Sequence, residues 1–327
     1  MRILPLVILL TALAGSASAV DVVSKGGRMS DTREINADSL LAQADSVFQK
    51  RDYQGALDLY TRTSEIARAD FNRPVEVEAL AQMARMNLLL DTKEEGRHWL
   101  QVATERASDS DPMGWSRLLG VKGRFEWKDG DLKTAHATFE EMYTYCNTNA
   151  LWSRAVDAAH MIAIVSETPE EQIEWGQRGI EAAEAGGVES WLGPLWNNLG
   201  TTYYDLKHYD LALECFLKAR QYHWQYSDET AKLYADYHVG MTYRFLGKYD
   251  EAKQWLRPVL AWAERLENHS AIGQACEDLG EIDIAQGKKT EGVALLKRAR
   301  TEYQAAGFDK TWPGIWENVN KRLTEVQ

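Results

Sequence analysis

The stretch LWNNLGTTYYDLKHYDLALECFLKA, residues 195–219, decides the fold of this 327-residue chain. On both sides of a short polar turn at Lys207 and His208, apolar residues recur at three- and four-residue steps, which is helical spacing. A small residue stands in each half, Gly200 in the first and Ala212 in the second. Small side chains let two helix backbones approach closely, so the stretch predicts a helical hairpin.

The same pattern returns along the chain at a spacing of about forty residues. Downstream, VGMTY at 239–243 precedes GKYDEA at 247–252, and LG at 279–280 precedes GK at 287–288. Upstream copies are weaker, and the copy around Ile164 and Gly176 is the most degenerate. Self-similarity at a fixed period of this size is typical of solenoids, because each unit buries its apolar face only against its neighbours.

Seven units are therefore predicted between residues 37 and 307. Helix start signals place their boundaries: Asp111-Pro112 opens the third unit and Ser227 opens the sixth, while Thr168-Pro169 begins the second helix of the fourth. The predicted bounds are about 37–72, 73–110, 111–149, 150–187, 188–226, 227–267 and 268–307.

Three segments depart from this repetition. Residues 308–327 are predicted to form a single capping helix, with Ile315, Val319 and Leu323 on its apolar stripe. Residues 20–36 show no period and are predicted to be a flexible tether. Pro258 falls inside the second helix of the sixth unit, where it is expected to kink or break that helix.

The fifth unit resembles the tetratricopeptide repeat family. Its hallmark spacings are occupied by Trp196, Leu199, Gly200, Tyr203, Ala212, Phe216 and Ala219, and only the late Pro is replaced, by Trp224. The forty-residue period is similar to the long-helix variety of this family. The resemblance implies an all-α, right-handed α-solenoid of about seven helical hairpins with a carboxy-terminal capping helix. Its hallmark residues are packing residues, so it implies little about function.

The first nineteen residues have the features of a signal peptide. Arg2 supplies a positive start, residues 3–13 are apolar apart from Thr11, and Ala17-Ser18-Ala19 fits an A-x-A cleavage site. The apolar run is shorter than the roughly 20 residues that a spanning helix needs. We therefore predict export, to a Gram-negative periplasm or by secretion, with no membrane insertion after removal of residues 1–19. An uncleaved anchor is the alternative.

Composition and motifs narrow the function classes. A formal net charge of −12 disfavours nucleic acid as a partner, because phosphate binding needs a basic stripe. Three scattered cysteines form no disulfide framework and no C-x-x-C motif, and are interpreted as small buried hydrophobes. The sequence contains no recognisable catalytic, phosphate-binding or metal-binding motif. We therefore expect a protein that is not an enzyme, with no cofactor and no metal.

In the tetratricopeptide family, first helices line a concave surface, and carrying their positions over gives a candidate groove. Units two and three supply Gln82, Arg85, Arg117, Arg124 and Trp127; units five and six supply Asn197, Asn198, Thr201, Tyr204, Tyr234, Tyr237, His238, Met241 and Arg244; and unit seven supplies Glu277, Asp278 and Glu281. The residues of the family's carboxylate clamp are not all present, so the resemblance does not imply capture of a carboxy terminus.

The sixth unit makes the strongest case for a binding surface. Tyr234, Tyr237, Met241 and Arg244 fall at i, i+3, i+7 and i+10, on one helical face. Exposed Tyr and Arg are typical of interaction hot spots. The plainer alternative is that these aromatic residues fill a tight superhelix or touch the cap.

The sequence thus favours a non-catalytic scaffold that holds a protein or peptide partner in its groove. A small-ligand or peptide sensor that changes superhelix pitch on binding is the alternative. A hidden hydrolase and a self-associating spacer are the remaining classes, and the oligomeric state is left open.

Overall fold

A computed structural model describes residues 36–326 of the chain. The predicted signal peptide, 1–19, and the predicted tether, 20–36, lie outside the described residues apart from Asn36. The Asn36 side chain accepts a hydrogen bond from the Ser39 amide and caps the first helix. Within the described part, the chain forms sixteen α-helices and one 3-10 turn.

The chain divides into two compact units between Trp191 and Leu192. The described part of the amino-terminal unit holds four helical hairpins: α1 (Ala37–Gln49) with α2 (Tyr53–Ala69), α3 (Arg73–Leu89) with α4 (Lys93–Arg106), α5 (Pro112–Lys128) with α6 (Leu132–Thr148), and α7 (Trp152–Val165) with α8 (Pro169–Ala185). The 3-10 turn Glu189–Trp191 ends this unit.

The carboxy-terminal unit holds three further hairpins and a cap. The hairpins are α9 (Leu192–Asp205) with α10 (Tyr209–Tyr226), α11 (Glu229–Phe245) with α12 (Tyr249–Arg265), and α13 (His269–Ala285) with α14 (Lys289–Ala305). Two helices follow, α15 (Phe308–Thr311) and α16 (Pro313–Val326). The predicted fold class is confirmed: consecutive helices pack in pairs, and every helix pair expected from the repeats is present in residues 36–326.

Close helix contacts at small residues hold the hairpins together, as the pattern around Gly200 predicts. A Cβ atom added at Gly123 would lie 2.6 Å from Phe139 Cε1, and one added at Gly200 would lie 2.8 Å from Phe216 Cδ1. A Cβ at Gly292 would lie 2.6 Å from the Gly280 carbonyl oxygen. Glycine is thus required at these crossings, because real Cβ atoms do not approach other atoms so closely.

Two hairpin corners close with a glycine in the left-handed region. Gly247 and Gly287 take φ angles of 72° and 80° between the two helices of their hairpins. Such a residue ends a helix by turning the chain while satisfying its last carbonyl groups. Only glycine adopts this conformation without a steric penalty, which explains the repeated Gly-Lys pairs in the sequence.

The cap differs from its prediction in one respect. Residues 308–327 were expected to form one helix, but α15 and α16 are separate, with Trp312 between them in a non-helical conformation (φ −136°, ψ 59°). Pro313 explains the break, since proline disfavours helical geometry in the residue before it. The expected apolar stripe is otherwise present, with Val319 and Leu323 buried and Ile315 half-buried.

Of the two outcomes that the sequence predicts at Pro258, a kink or a break, the break does not occur. Helix α12 continues across it from Tyr249 to Arg265. Both Pro258 and Gln254, whose carbonyl loses its usual donor, are exposed. Solvent can therefore satisfy that carbonyl, while Leu256 and Val259 on the opposite side remain buried and anchor the helix.

No helix in residues 36–326 combines the length and apolar character needed to cross a bilayer.

Candidate functional site

The first helices of the amino-terminal unit carry a cluster of ionised side chains on one face. Helical spacing aligns Glu78, Gln82 and Arg85 on α3, and the same spacing aligns Arg117 with Arg124 on α5. Helices α1 and α7 complete this group, which we call the charged cluster: Asp45, Glu78, Arg85, Arg117, Arg124, Arg154 and Asp157.

Glu78 joins three successive first helices. Its side chain is 5% exposed, and its Oε2 atom lies 3.3 Å from Arg117 Nε. The same oxygen accepts a hydrogen bond from Arg154, which also donates to Ser116 Oγ at 2.6 Å. One buried carboxylate is thus shared by two guanidinium groups from α5 and α7.

Asp45 on α1 and Tyr60 on α2 form one side of the cluster. The Tyr60 hydroxyl donates to Asp45 Oδ1 at 2.5 Å, and Arg117 lies 3.5 Å from Asp45 Oδ2. Gln82 donates to the Tyr60 oxygen at 2.9 Å. Burial, the Asp45 charge and the hydrogen bond to Asp45 raise the pKa of Tyr60 well above its ordinary value, so the phenol stays neutral.

Asp157 forms an ion pair with Arg124. The Arg124 Nη2 atom donates to both carboxylate oxygens, at 2.7 and 3.0 Å, while Nη1 donates to the Gly120 carbonyl at 2.9 Å. Burial opposes ionisation of Asp157, but Arg124 and Arg85 outweigh it and lower the pKa of the carboxyl. The neighbouring His160 is neutral at pH 7, because burial lowers its pKa to about 4.

Arg85 is the member of the cluster without a carboxylate of its own. Its guanidinium lies over the Phe48 ring, 4.8 Å from the centroid, and makes no hydrogen bond or ion pair with any residue between 36 and 326. Burial, and then repulsion from Arg124, lower the pKa of Arg85 to about 9. It therefore remains a cation at neutral pH, at a position where its charge is poorly solvated.

The predicted groove residues of the carboxy-terminal unit make contacts within that unit. His238 Nδ1 lies 2.7 Å from Asn197 Oδ1, and Thr201 donates to the Asn197 carbonyl at 3.0 Å. Tyr204 packs edge-on against Phe245, with ring centroids 5.1 Å apart. Tyr234 is half-buried, and burial raises its pKa. Asn198, also half-buried, has a partner as well.

Two of the predicted groove residues are core residues, which corrects the expectation of an exposed aromatic face. Tyr237 is 6% exposed and Met241 is 2% exposed, and both belong to the hydrophobic core of the unit. The spacing along α11 was right, but a stacked helix is covered on more than one side by its neighbours. Helical periodicity alone therefore could not distinguish a groove from a second packing face.

Three acidic residues of α13, Glu277, Asp278 and Glu281, also have partners within the carboxy-terminal unit. Arg244 Nε lies 2.5 Å from Asp278 Oδ1, and the Tyr303 hydroxyl donates to Glu277 Oε2 at 2.6 Å. Arg322 from the cap contacts both oxygens of Glu281, at 2.7 and 3.0 Å. Burial raises the pKa of Glu277 to about 7. These contacts join α13 to α11, α14 and the cap, so they have a direct structural role.

The sequence found part of the charged cluster and missed the rest. Gln82, Arg85, Arg117 and Arg124 lie together as predicted, whereas Trp127 lies one turn beyond Arg124 and its ring contacts the Lys128 ammonium at 5.3 Å. The residues missed were Asp45, Tyr60, Glu78, Arg154 and Asp157. The polar residues at 154, 157 and 160, in a helix that is apolar from 155 to 165 apart from 157 and 160, were the signal that could have revealed the α7 members.

The cysteines and the potential metal ligands give no evidence of a reactive site in residues 36–326. Cys146, Cys215 and Cys276 are buried free thiols, and burial raises the pKa of each. Among residues 36–326, no three or more His, Cys, Asp or Glu side chains are grouped as a metal site requires.

Comparisons with known proteins agree with this architecture. Residues 193–223 and 237–265 each match the tetratricopeptide repeat family. Similar solved structures include a signal-transduction ATPase of the STAND class with a tetratricopeptide repeat sensor from Pyrococcus horikoshii (TM-score 0.70, 16% identity, 89% of this chain and 44% of that one) and apo RapI (TM-score 0.69, 12% identity, 82% and 77%). BtubC from P. vanneervenii is also similar (TM-score 0.56, 15% identity, 73% and 94%).

These likenesses concern the fold alone, because all three identities are below 20%. The chain spans less than half the length of the Pyrococcus protein.

Proposed function

Because the chain is a tetratricopeptide repeat protein, we propose that it is a non-catalytic scaffold that binds a protein or peptide partner on its first helices. Within the amino-terminal unit, α3, α5 and α7 form the proposed binding surface. The observation that carries this proposal is the charged cluster, which gathers four guanidinium groups and three carboxylates on one face.

Stability alone does not account for such a cluster. Replacing buried ion pairs by well-packed apolar residues is often neutral or stabilising, because desolvation offsets much of the attraction between the charges. Apolar residues of the same first helices, including Leu80, Met83 and Leu118, pack in the hydrophobic core of this unit. A polar stripe among them is expected where the surface must recognise another molecule and fix its orientation.

The surface suits an extended segment better than a small compact ligand. Helix α3 has 17 residues, which corresponds to a length of roughly 25 Å at about 1.5 Å per residue. The charged side chains are spread over α1, α3, α5 and α7 rather than converging on one closed pocket. A peptide lying across these helices would meet several of them in turn.

The proposed location is extracytoplasmic, in a periplasm or outside the cell. The amino-terminal sequence supports it: Arg2, the apolar residues 3–13 and Ala17-Ser18-Ala19 have the order of a cleavable signal peptide. Mass spectrometry of the chain recovered from its host should find Val20 at the mature amino terminus. An intact terminus at Met1 in a cytosolic fraction would contradict export.

Peptide selection tests the binding function directly. A random dodecapeptide display library is panned against the purified chain, and recovered sequences are synthesised and titrated by isothermal calorimetry. We expect saturable binding of single peptides with dissociation constants in the micromolar range. Failure to recover any peptide above background, in repeated selections at low salt, would contradict a peptide-binding scaffold.

A further inference from the structure

Counting charges in the charged cluster leaves one positive charge unmatched. The four cations are Arg85, Arg117, Arg124 and Arg154, and the three anions are Asp45, Glu78 and Asp157. Around them, His160 is neutral and Tyr60 stays protonated, so neither changes the count. The surplus is local, since the whole chain carries a net charge of −12.

The surplus charge resides on Arg85, because each carboxylate is already engaged. Glu78 accepts from Arg117 and Arg154, and Asp157 accepts from Arg124 through both oxygens. The remaining carboxylate, Asp45, accepts from the Tyr60 hydroxyl and pairs with Arg117. Arg85 instead stacks on Phe48 and keeps its donors unused within residues 36–326.

An unpaired and partly desolvated guanidinium is costly to the folded chain. Its charge loses hydration without gaining a hydrogen-bonded counter-charge. Asp157 attracts it, but burial and the repulsion from Arg124 and Arg117 outweigh that attraction. Local features that lower stability in this way are typical of functional sites. Gln82, one turn before Arg85 on the same face, likewise has a buried Oε1 atom with no hydrogen-bond partner among the described residues.

We propose that Arg85 binds the carboxylate of an Asp or Glu side chain in the partner, so that the recognised segment is an acidic peptide. This inference rests on the proposed peptide-binding function and names the chemistry of its central contact. A carboxylate fits because it is a monoanion and matches a surplus of one charge, whereas a phosphate carries about −1.5 to −2. The planar guanidinium, held against the Phe48 ring, can donate two parallel hydrogen bonds to it.

The melting temperatures of two variants distinguish a binding role for Arg85 from a structural role. Because Arg85 makes no hydrogen bond or ion pair with any residue between 36 and 326, Arg85→Gln should leave the melting temperature unchanged or raise it. Arg124→Gln, which removes the ion-pair partner of half-buried Asp157, should lower it. A clear loss of stability in the Arg85→Gln protein would assign the residue to the fold and overturn the proposal.

A small probe tests the site without a known partner. Sodium acetate is titrated into 15N-labelled chain at constant ionic strength, and the arginine Nε–Hε signals are followed by NMR. The Arg85 signal, assigned by its absence in Arg85→Gln, should shift saturably. Arg62, an exposed arginine on α2, is the control and should shift only weakly. Equal, linear shifts of both signals would show that no carboxylate site exists and would overturn the proposal.

Selected peptides give the decisive comparison. Peptides from the display experiment are made with acetylated and amidated termini, so that only side-chain carboxylates are present. Replacing one Asp or Glu by its amide, or Arg85 by Gln, should each weaken binding roughly ten- to hundred-fold, and the two changes together should add little more. Arg62→Gln should bind as the unchanged chain does.

The outcomes distinguish this inference from the function it rests on. Peptides that bind Arg85→Gln and the unchanged chain equally would overturn the carboxylate contact and leave peptide binding intact. Peptides that require phosphoserine in place of Asp or Glu would also overturn it. Recovery of no peptide at all would overturn both.

Discussion

Replacing Glu78 with Gln tests how strongly the charged cluster is desolvated. The substitution keeps the shape of the side chain and removes the charge that Arg117 and Arg154 share. Arg117 then keeps only the longer contact to Asp45, at 3.5 Å, and Arg154 keeps only neutral acceptors such as Ser116. The charged cluster would then hold four guanidinium groups and two carboxylates, a surplus of two positive charges.

The expected destabilisation is about 3–5 kcal/mol, because the Glu78 side chain is only 5% exposed and breaking a buried pair leaves a charge uncompensated. In a unit of this size, such a loss corresponds to a decrease in melting temperature of roughly 6–20 °C. Glu174→Gln is the matched control. It breaks an i,i+4 pair with Arg178 whose two side chains are 58% and 43% exposed, and should cost no more than about 0.5 kcal/mol.

Circular dichroism during urea and thermal unfolding measures both variants, with far-UV spectra confirming that each is folded at the start. Equal transition midpoints for Glu78→Gln and Glu174→Gln would refute the reasoning. That result would show that water reaches the Arg117 and Arg154 guanidinium groups, so that the cluster is an ordinary surface network.

Three further predictions concern packing and pH. Gly123→Ala places a Cβ 2.6 Å from the Phe139 ring and should lower the free energy of unfolding by about 1–3 kcal/mol; urea denaturation checks this, and a neutral result contradicts the close crossing. Tyr237→Ala should cost about 3–5 kcal/mol as a core truncation, whereas a change below about 1 kcal/mol would return Tyr237 to an exposed face. Burial raises the pKa of Glu277 to about 7 from an ordinary 4.5, so between these pH values the folded chain keeps a proton that the unfolded chain releases. The free energy of unfolding should therefore fall as pH rises from 4.5 to 7. Glu277→Gln should flatten this decrease when the urea midpoint is plotted against pH, and an unchanged slope contradicts the assignment.

The helical hairpins could be predicted because their signals are local. The small residues that mark each helix crossing, such as Gly200 and Ala212, and the polar turn between them lie within one repeat. Repetition then reinforces each local signal, since the same spacing returns about every forty residues. Even so, Pro258 shows a limit: the tolerance of α12 depends on which side of the helix faces solvent.

The charged cluster could be predicted only in part, because its contacts join residues far apart in sequence. Arg154 and Glu78 are 76 residues apart and belong to hairpins that are not adjacent in the chain. No repeat pattern marks such a pair, and the fourth unit is also the most degenerate copy. Tyr237 illustrates the opposite error, in which a regular helical face was read as exposed although neighbouring helices cover it.

Site-specific cross-linking with a bound peptide tests binding on the first helices most directly. The photoreactive residue p-benzoylphenylalanine replaces either Trp127 on α5 or the exposed Glu141 on α6, the second helix of the same hairpin. We predict a peptide adduct from position 127 and none from position 141. An adduct confined to position 141, or equal yields from both, would place the partner elsewhere and contradict a binding surface formed by α3, α5 and α7.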